Sequence, residues 1–249
     1  MNSQTCLWTP STEQVASSHV TLFRQRINQR FNLELADYEQ LHAWSVSNST
    51  DFWSEIWDYA DILCETRGDV VLENGSAMPG ARWFPNAKLN FAENLLRQDA
   101  TAPALIFRGE DGEQRTLSRS ELYQQVRAVA AKLTELGVGV GDRAAGFMPN
   151  IPEALIAMLA TSSIGAVWSS CSPDFGVNGV VDRFGQIEPV VLFTADAYFY
   201  NGKQFDCVDT AAAICAAIPS ITTTVVVPFA NSGKAIDGLQ GGTLFAQFG

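Results

Sequence analysis

The run SSCSPDFGVNGVVDRFGQIEP, Ser169 to Pro189, places a thiol, several hydroxyls, two aspartates, an arginine and a glutamate within one short stretch. A cysteine beside a base can act as a nucleophile, and neighbouring carboxylates can move protons. Here Cys171 has no base next to it in the chain. Val177, Val180, Val181, Phe184 and Ile187 recur at helical spacing, which predicts an amphipathic helix over Phe175–Ile187. Ser172 before Pro173 is a helix-start signal, although Gly176 and Gly179 allow a start nearer Asp174 or Asn178. Pro189 ends the helix. Cys171 is then expected as a small residue at a strand end.

A second stretch, YFYNGK at Tyr198–Lys203, follows the apolar run VVLFT. If that run is a strand, the stretch lies at its carboxyl edge, where open α/β sheets collect ligands. Asn-Gly makes a tight turn that can aim Lys203 and the ring of Tyr200 at an anion. The plainer alternative is a loop with a solvated lysine.

Other candidates fail on context. GVGVGD, Gly137–Asp142, resembles a dinucleotide fingerprint, but it follows a helix and precedes a strand, the reverse of the order needed. It reads as a helix stop and an αβ loop. The Ser-x-x-Lys, Gly-x-Ser-x-Gly and Walker-type patterns are absent. Cys6, Cys64, Cys171, Cys207 and Cys215 form no CxxC pair, and His19 and His42 stand far from any cysteine cluster, so no metal site is expected.

The elements that would position these groups change character along the chain. Residues 1–98 read as a helical, aromatic-rich segment holding five of the six tryptophans. Val15, His19, Leu22, Phe23 and Phe31 fall near one helical face, and Asp37–Val46 is a second helix. Phe52, Trp53, Ile56 and Trp57 form a stripe that reads as helix packing before it reads as a ligand cage. ENGSAMPGARWFPNAKL is a loop, and Asn90-x-x-Glu93 opens a short helix.

From residue 99 onward, ALIFRG and EQRTL flank an Asp-Gly turn and predict a hairpin. Ser118-x-x-Glu121 opens a helix with Leu122, Val126, Val129, Leu133 and Leu136 inward, stopped by Gly137. Strands RAAGFM, AVWSS, VVLFT and TTTVVVPF then alternate with helices Pro152–Ser163, Phe175–Ile187 and Phe205–Ala217. The fold class is α/β: a helical N-terminal segment, then βαβ units of a mainly parallel sheet. GGTLFAQFG reads as a loop.

Composition bounds the function. Apolar residues make up 47% and charged ones 17%, enough for a packed core. A net charge of −11 argues against nucleic acid or an anionic membrane as partner. With no signal-peptide pattern and no long apolar run, a soluble cytoplasmic protein is expected.

Three segments jointly resemble acyl-CoA synthetases of the adenylate-forming superfamily, in particular the acetoacetyl-CoA synthetase branch. They are ARWFPNAKLNFAENLL, the stretch from GVGVGDRAAGFMPNIPEALIAML to DRFGQIEP, and YNGK. The resemblance implies an acid–CoA ligase that uses ATP with Mg²⁺ and CoA, through an acyl-adenylate. Its substrate would be acetoacetate or another short acyl acid. It implies that Tyr200 and Lys203 meet the 3′-phosphate end of CoA. Tyr200 stands where the acetyl branch has an arginine, so Lys203 alone would carry charge. It further implies no catalytic residue within residues 1–249. The family's Thr-Ser-Gly-Thr-Thr-Gly-type phosphate loop, its later acidic motif and its C-terminal lysine are not found. The chain is therefore expected to be the N-terminal part of such an enzyme, with the remaining C-terminal part as its partner, and inactive alone. The alternative is a non-catalytic module binding CoA or a partner through the same fold.

Overall fold

The computed structural model describes residues 6–97 and 102–248. The chain forms two compact units, Met1–Leu89 and Asn90–Gly249, a division that falls ahead of the 98/99 boundary read from composition. The first unit carries α1 (Thr12–Ala16), α2 (His19–Phe31), α3 (Tyr38–Ser47), α4 (Ser49–Tyr59), β1 (Leu72–Glu73) and β2 (Arg82–Trp83). The second opens with α5 (Phe91–Leu95), β3 (Pro103–Arg108), β4 (Gln114–Ser118) and α6 (Arg119–Glu135). It continues with β5 (Arg143–Phe147), α7 (Pro152–Ser163), β6 (Val167–Cys171), α8 (Val177–Phe184) and β7 (Val191–Ala195). It closes with β8 (Ala197–Tyr200), β9 (Lys203–Asp206), α9 (Val208–Ala217), β10 (Thr223–Val227), β11 (Gly242–Leu244) and α10 (Phe245–Phe248).

In the first unit, Phe23, Ile27 and Leu41 form the core, flanked by Phe31, Trp44, Phe52, Ile56 and Tyr59. The expected single helical face breaks at Ser17–Ser18. The Ser18 hydroxyl accepts from the Thr21 amide at 3.4 Å and starts α2 afresh, leaving Val15 and Leu22 exposed while Ile27 is buried. The tryptophans of α4 pack on aromatic neighbours. Trp53 meets Trp83 at 6.0 Å between centroids, and Trp57 meets Phe84 at 4.7 Å. The Arg67 guanidinium lies 5.6 Å from both the Trp57 and Phe84 rings, so the stripe is packing that engages a cation of its own chain. The expected loop contains β2, which pairs with β1 at its start, and Lys88, which bridges back to Thr66.

The second unit is built on a five-stranded sheet in the order β11-β10-β7-β5-β6, all parallel. Its central strands are apolar on both faces because both are covered. Ala144, Val191, Phe193, Val225 and Val227 face the layer that contains residues of α5, α6, α7 and α10. Ala145, Phe147, Leu192 and Val226 face the layer of α8 and α9. The alternation is the pleat itself. The chain steps from β5 outward to β6, then back across β5 to β7 and onward. The order therefore reverses between β5 and β7, and the carboxyl ends there form the crevice of a doubly wound sheet.

Several sequence expectations are corrected. Phe205 and Asp206 are strand, and the helix begins at Val208, because the Asn201-Gly202 turn folds Lys203–Asp206 back onto Ala197–Tyr200. GGTLFAQF is a strand and a short helix. β11 pairs with β10, and the Phe248 ring buries edge-on against Phe193 at 5.8 Å. α8 runs from Val177 to Phe184, shorter than expected, with Gly176 at its N-cap and Gly185 at its C-cap. Leu136 is exposed because α6 has ended, with Gly137 at φ 81°. The Pro152–Ser163 helix and both residues of the Ser118/Glu121 capping box stand as read.

Candidate functional site at the carboxyl edge of the sheet

β7 is buried along its whole length and delivers Asp196 to the carboxyl edge, next to the β5/β7 reversal. Asp196 is 5% exposed, so its carboxylate must find donors within the protein. It accepts three backbone N–H groups, from Ala197 at 2.9 Å, Ala230 at 2.8 Å and Ser232 at 2.6 Å. Its own amide donates to Val227 O at 2.9 Å, and its carbonyl accepts from Cys207 N at 3.1 Å. One side chain thereby ties the end of β7, the start of β8 and the loop after β10.

From Asp196 the chain rises as the β8–β9 hairpin. Asn201 at φ 49° and Gly202 at φ 70° give both turn residues the left-handed conformation whose twist suits a two-residue hairpin. Tyr200 pairs directly with Lys203, and Tyr198 with Phe205, so these four side chains share one face. The Tyr198 and Phe205 rings stack at 5.2 Å with 22° between planes. Tyr200 is 65% exposed at the tip beside the exposed Lys203, and Lys203 has no ion pair among the described residues. The two residues singled out from sequence are therefore adjacent, on one face, with a free ammonium beside a phenol. That pairing can meet a phosphate with charge and a flat ring with an aromatic surface. On the opposite face, Phe199 packs edge-on against Phe229 at 5.8 Å.

The base of the hairpin carries an ion cluster absent from the sequence reading. Lys234 Nζ lies 2.8 Å from Asp206 Oδ2 and 2.6 Å from Asp209 Oδ2. These carboxylates raise the Lys234 pKa. Partial burial pushes the Asp206 carboxyl up, but the hydrogen bond from Lys234 and the amides of Asp209 and Val208 outweigh it, leaving its pKa lowered. Burial, with the Asp206 and Asp196 carboxylates, pushes the neighbouring Cys207 thiol up to about 12.

The Ser169–Pro189 cluster does not assemble as chemistry. Cys171 is buried at the end of β6, and desolvation raises its pKa, partly offset by Arg183, so it is held as a thiol. The Arg183 guanidinium sits 4.4 Å over the Phe175 ring, and its Nη1 donates to Gly179 O. Cys171, Ser170 and Ser172 line a cavity of about 320 Å³ with Met148, Asn150 and Trp168. Both histidines lie in the first unit, on an apolar cavity of about 350 Å³ with Phe23 and Leu41, where His19 Nδ1 is 2.9 Å from the Tyr59 hydroxyl.

Sequence reasoning missed Asp196, Lys234 and the pair Arg115–Glu153. In that pair Arg115 Nη1 and Nη2 donate to the two Glu153 oxygens at 2.6 and 3.1 Å. This joins β4 to the first turn of α7, and Glu153 raises the Arg115 pKa. An aspartate directly after a fully buried, mostly apolar strand was a usable signal for Asp196. Nothing in the chain links Lys234 to Asp206. Among the described residues there is no group of three or more His, Cys, Asp or Glu side chains that could hold a metal ion. No helix among them is long and apolar enough to cross a membrane.

A doubly wound parallel sheet with an aromatic hairpin carrying an exposed lysine at its carboxyl edge fits a nucleotide-handling enzyme. The model of the AMP-binding enzyme family matches residues 91–240, and the chain belongs to that family. The model of the acetyl-coenzyme A synthetase N-terminus matches residues 38–95. More particularly, the chain is 43% identical over its whole length to the acetoacetyl-coenzyme A synthetase of Rhizobium meliloti (strain 1021), covering 38% of that protein. It is 38% identical over 95% of its length to the acetoacetyl-CoA synthetase of Gallus gallus, covering 36% of it. The solved acetoacetyl-CoA synthetase from Streptomyces lividans superposes with a TM-score of 0.90 at 38% identity, over 98% of this chain and 38% of that one. The chain thus spans well under half the length of these relatives.

Proposed function

We propose that this chain is the N-terminal part of an ATP-dependent ligase that joins acetoacetate to CoA. The observation that carries this is the end-to-end similarity to acetoacetyl-coenzyme A synthetase at 43% identity. In the first half-reaction an acid oxygen attacks the α-phosphorus of ATP, giving acyl-adenylate and pyrophosphate. In the second the CoA sulfur attacks the acyl carbon, AMP leaves with the former acid oxygen, and the thiol proton is released. Lys203 places its charge on the 3′-phosphate of CoA, and Tyr200 stacks or donates one hydrogen bond beside it. Mg²⁺ enters with ATP. The enzyme works in the cytoplasm.

Residues 1–249 do not catalyse adenylation alone. That step needs oriented amides and a cation at the phosphates, and no Thr-Ser-Gly-Thr-Thr-Gly-type loop occurs in this sequence. The test is acetoacetate-dependent ATP–pyrophosphate exchange. The whole protein containing this chain should exchange, and purified residues 1–249 should not. Exchange by residues 1–249 overturns the inactivity. A whole protein that exchanges with other short acids but not with acetoacetate overturns the substrate.

A further inference from the structure

We propose that Lys234 is a positioning residue that sets the angle of the β8–β9 hairpin and thereby the site of Lys203. The inference rests on the CoA-binding reading of that hairpin and adds a residue to it. The hairpin tip, Tyr200–Lys203, is solvent-exposed, so its direction is decided at its base. The hairpin is clipped to the loop after β10 at three points, two at its base and one, through Phe199, beside the tip. Phe229 packs on Phe199, the amides of Ala230 and Ser232 bind the Asp196 carboxylate, and Lys234 bridges Asp206 and Asp209.

The clips differ in kind. The Asp196 contacts are buried or part-buried and hold the root of β8. The Lys234 bridge holds the other strand, because Asp206 is the last residue of β9 and pairs with Ala197. It also joins β9 to α9, since Asp206 Oδ1 accepts from the Asp209 amide at 3.0 Å. Without Lys234, two carboxylates remain near each other at the foot of β9 and the strand loses its outer anchor.

From Ala197 to Tyr200 is three residues, about 10 Å at ~3.3 Å each. A tilt of about 10° at the base moves the tip by roughly 2 Å, beyond the ~1 Å at which misplaced groups lose effect. The bridge is partly solvent-exposed, so it contributes little to global stability and acts mainly on direction.

The experiment is a double-mutant cycle in the whole protein, read as KM for CoA and as kcat at saturating CoA. Lys234→Ala should raise the KM for CoA about two- to fivefold, with kcat and the thermal midpoint little changed. Lys234→Arg should restore the KM, since a guanidinium can span the same carboxylates. In a Lys203→Ala background the Lys234→Ala effect should largely vanish, because no charge remains to be positioned. Additive effects would mean that Lys234 acts independently of Lys203 and would overturn the inference. So would an unchanged KM in Lys234→Ala alone. If instead Lys203→Ala leaves the KM for CoA unchanged, the reading of the hairpin as the CoA contact is what fails.

Discussion

Gly146 sits in the interior strand β5 under the ring of Trp168, and Gly146→Ala tests how tightly that face is packed. Its φ is not in the left-handed region, so the backbone does not require glycine there. The close approach does. An added Cβ would lie 2.6 Å from Trp168 Cζ2 and 2.7 Å from Cη2. Carbon pairs are optimal from about 3.5 Å, so the indole must retreat by roughly 0.9 Å. Trp168 is blocked on one side, where its ring packs against the fully buried Phe193 at 5.8 Å, and borders the 320 Å³ cavity on the other, so its retreat must be into that cavity. The cost of such overpacking is about 1–3 kcal/mol. For a unit of this size that lowers the midpoint by roughly 3–10 °C. Urea denaturation followed by far-ultraviolet circular dichroism reads the loss directly. In a Trp168→Leu background the clash partner is gone, and Gly146→Ala should cost less than about 0.5 kcal/mol. A Gly146→Ala protein as stable as the parent, or one equally destabilised in both backgrounds, would refute the packing argument.

Three further outcomes follow from the same geometry. Asp206 has a lowered pKa in the folded protein, so its contribution is complete above the unfolded value of about 3.9 and is lost as pH falls through the lower folded value. Asp206→Asn should therefore destabilise at pH 7 and match the parent in acid below that window, as read by urea midpoints across pH. Cys171, Cys207 and Cys215 are buried with raised thiol pKa values, whereas Cys6 and Cys64 are exposed. Titration with a disulfide reagent at pH 8 should modify Cys6 and Cys64 quickly and the other three only after unfolding. Glu153→Gln breaks the bidentate pair with Arg115 in a largely buried setting and should cost about 1–3 kcal/mol in urea denaturation.

How much of this was legible in the chain depended on whether the signal was local. The Ser118/Glu121 capping box and the Pro152–Ser163 helix read correctly because caps and an N-terminal proline act within one turn. The alternation of strands and helices gave the fold class for the same reason. The turn that pairs Tyr200 with Lys203 was legible because Asn-Gly after an apolar run fixes a turn. The two strands on either side of that turn were not, since Phe205 and Asp206 suit a helix until the turn supplies Ala197–Tyr200 as a partner. β11 was missed similarly. Gly242–Leu244 is too short to read as a strand, and it forms because β10 offers an open edge. Asp196 and Lys234 act across the fold on residues far from them in sequence, and no local pattern records such pairing. Ser169–Pro189 shows the converse. Its reactive residues are dense in sequence, yet the structure turns Cys171 inward and lays Arg183 on Phe175.

The central claim is that the hairpin tip meets the 3′-phosphate of CoA through Lys203. The most direct measurement is calorimetric binding of CoA and 3′-dephospho-CoA to the whole protein and to its Lys203→Ala variant. The parent should prefer CoA, and Lys203→Ala should weaken CoA about five- to tenfold while leaving 3′-dephospho-CoA unchanged. Equal binding of CoA by parent and variant, or equal weakening of both ligands, would contradict it.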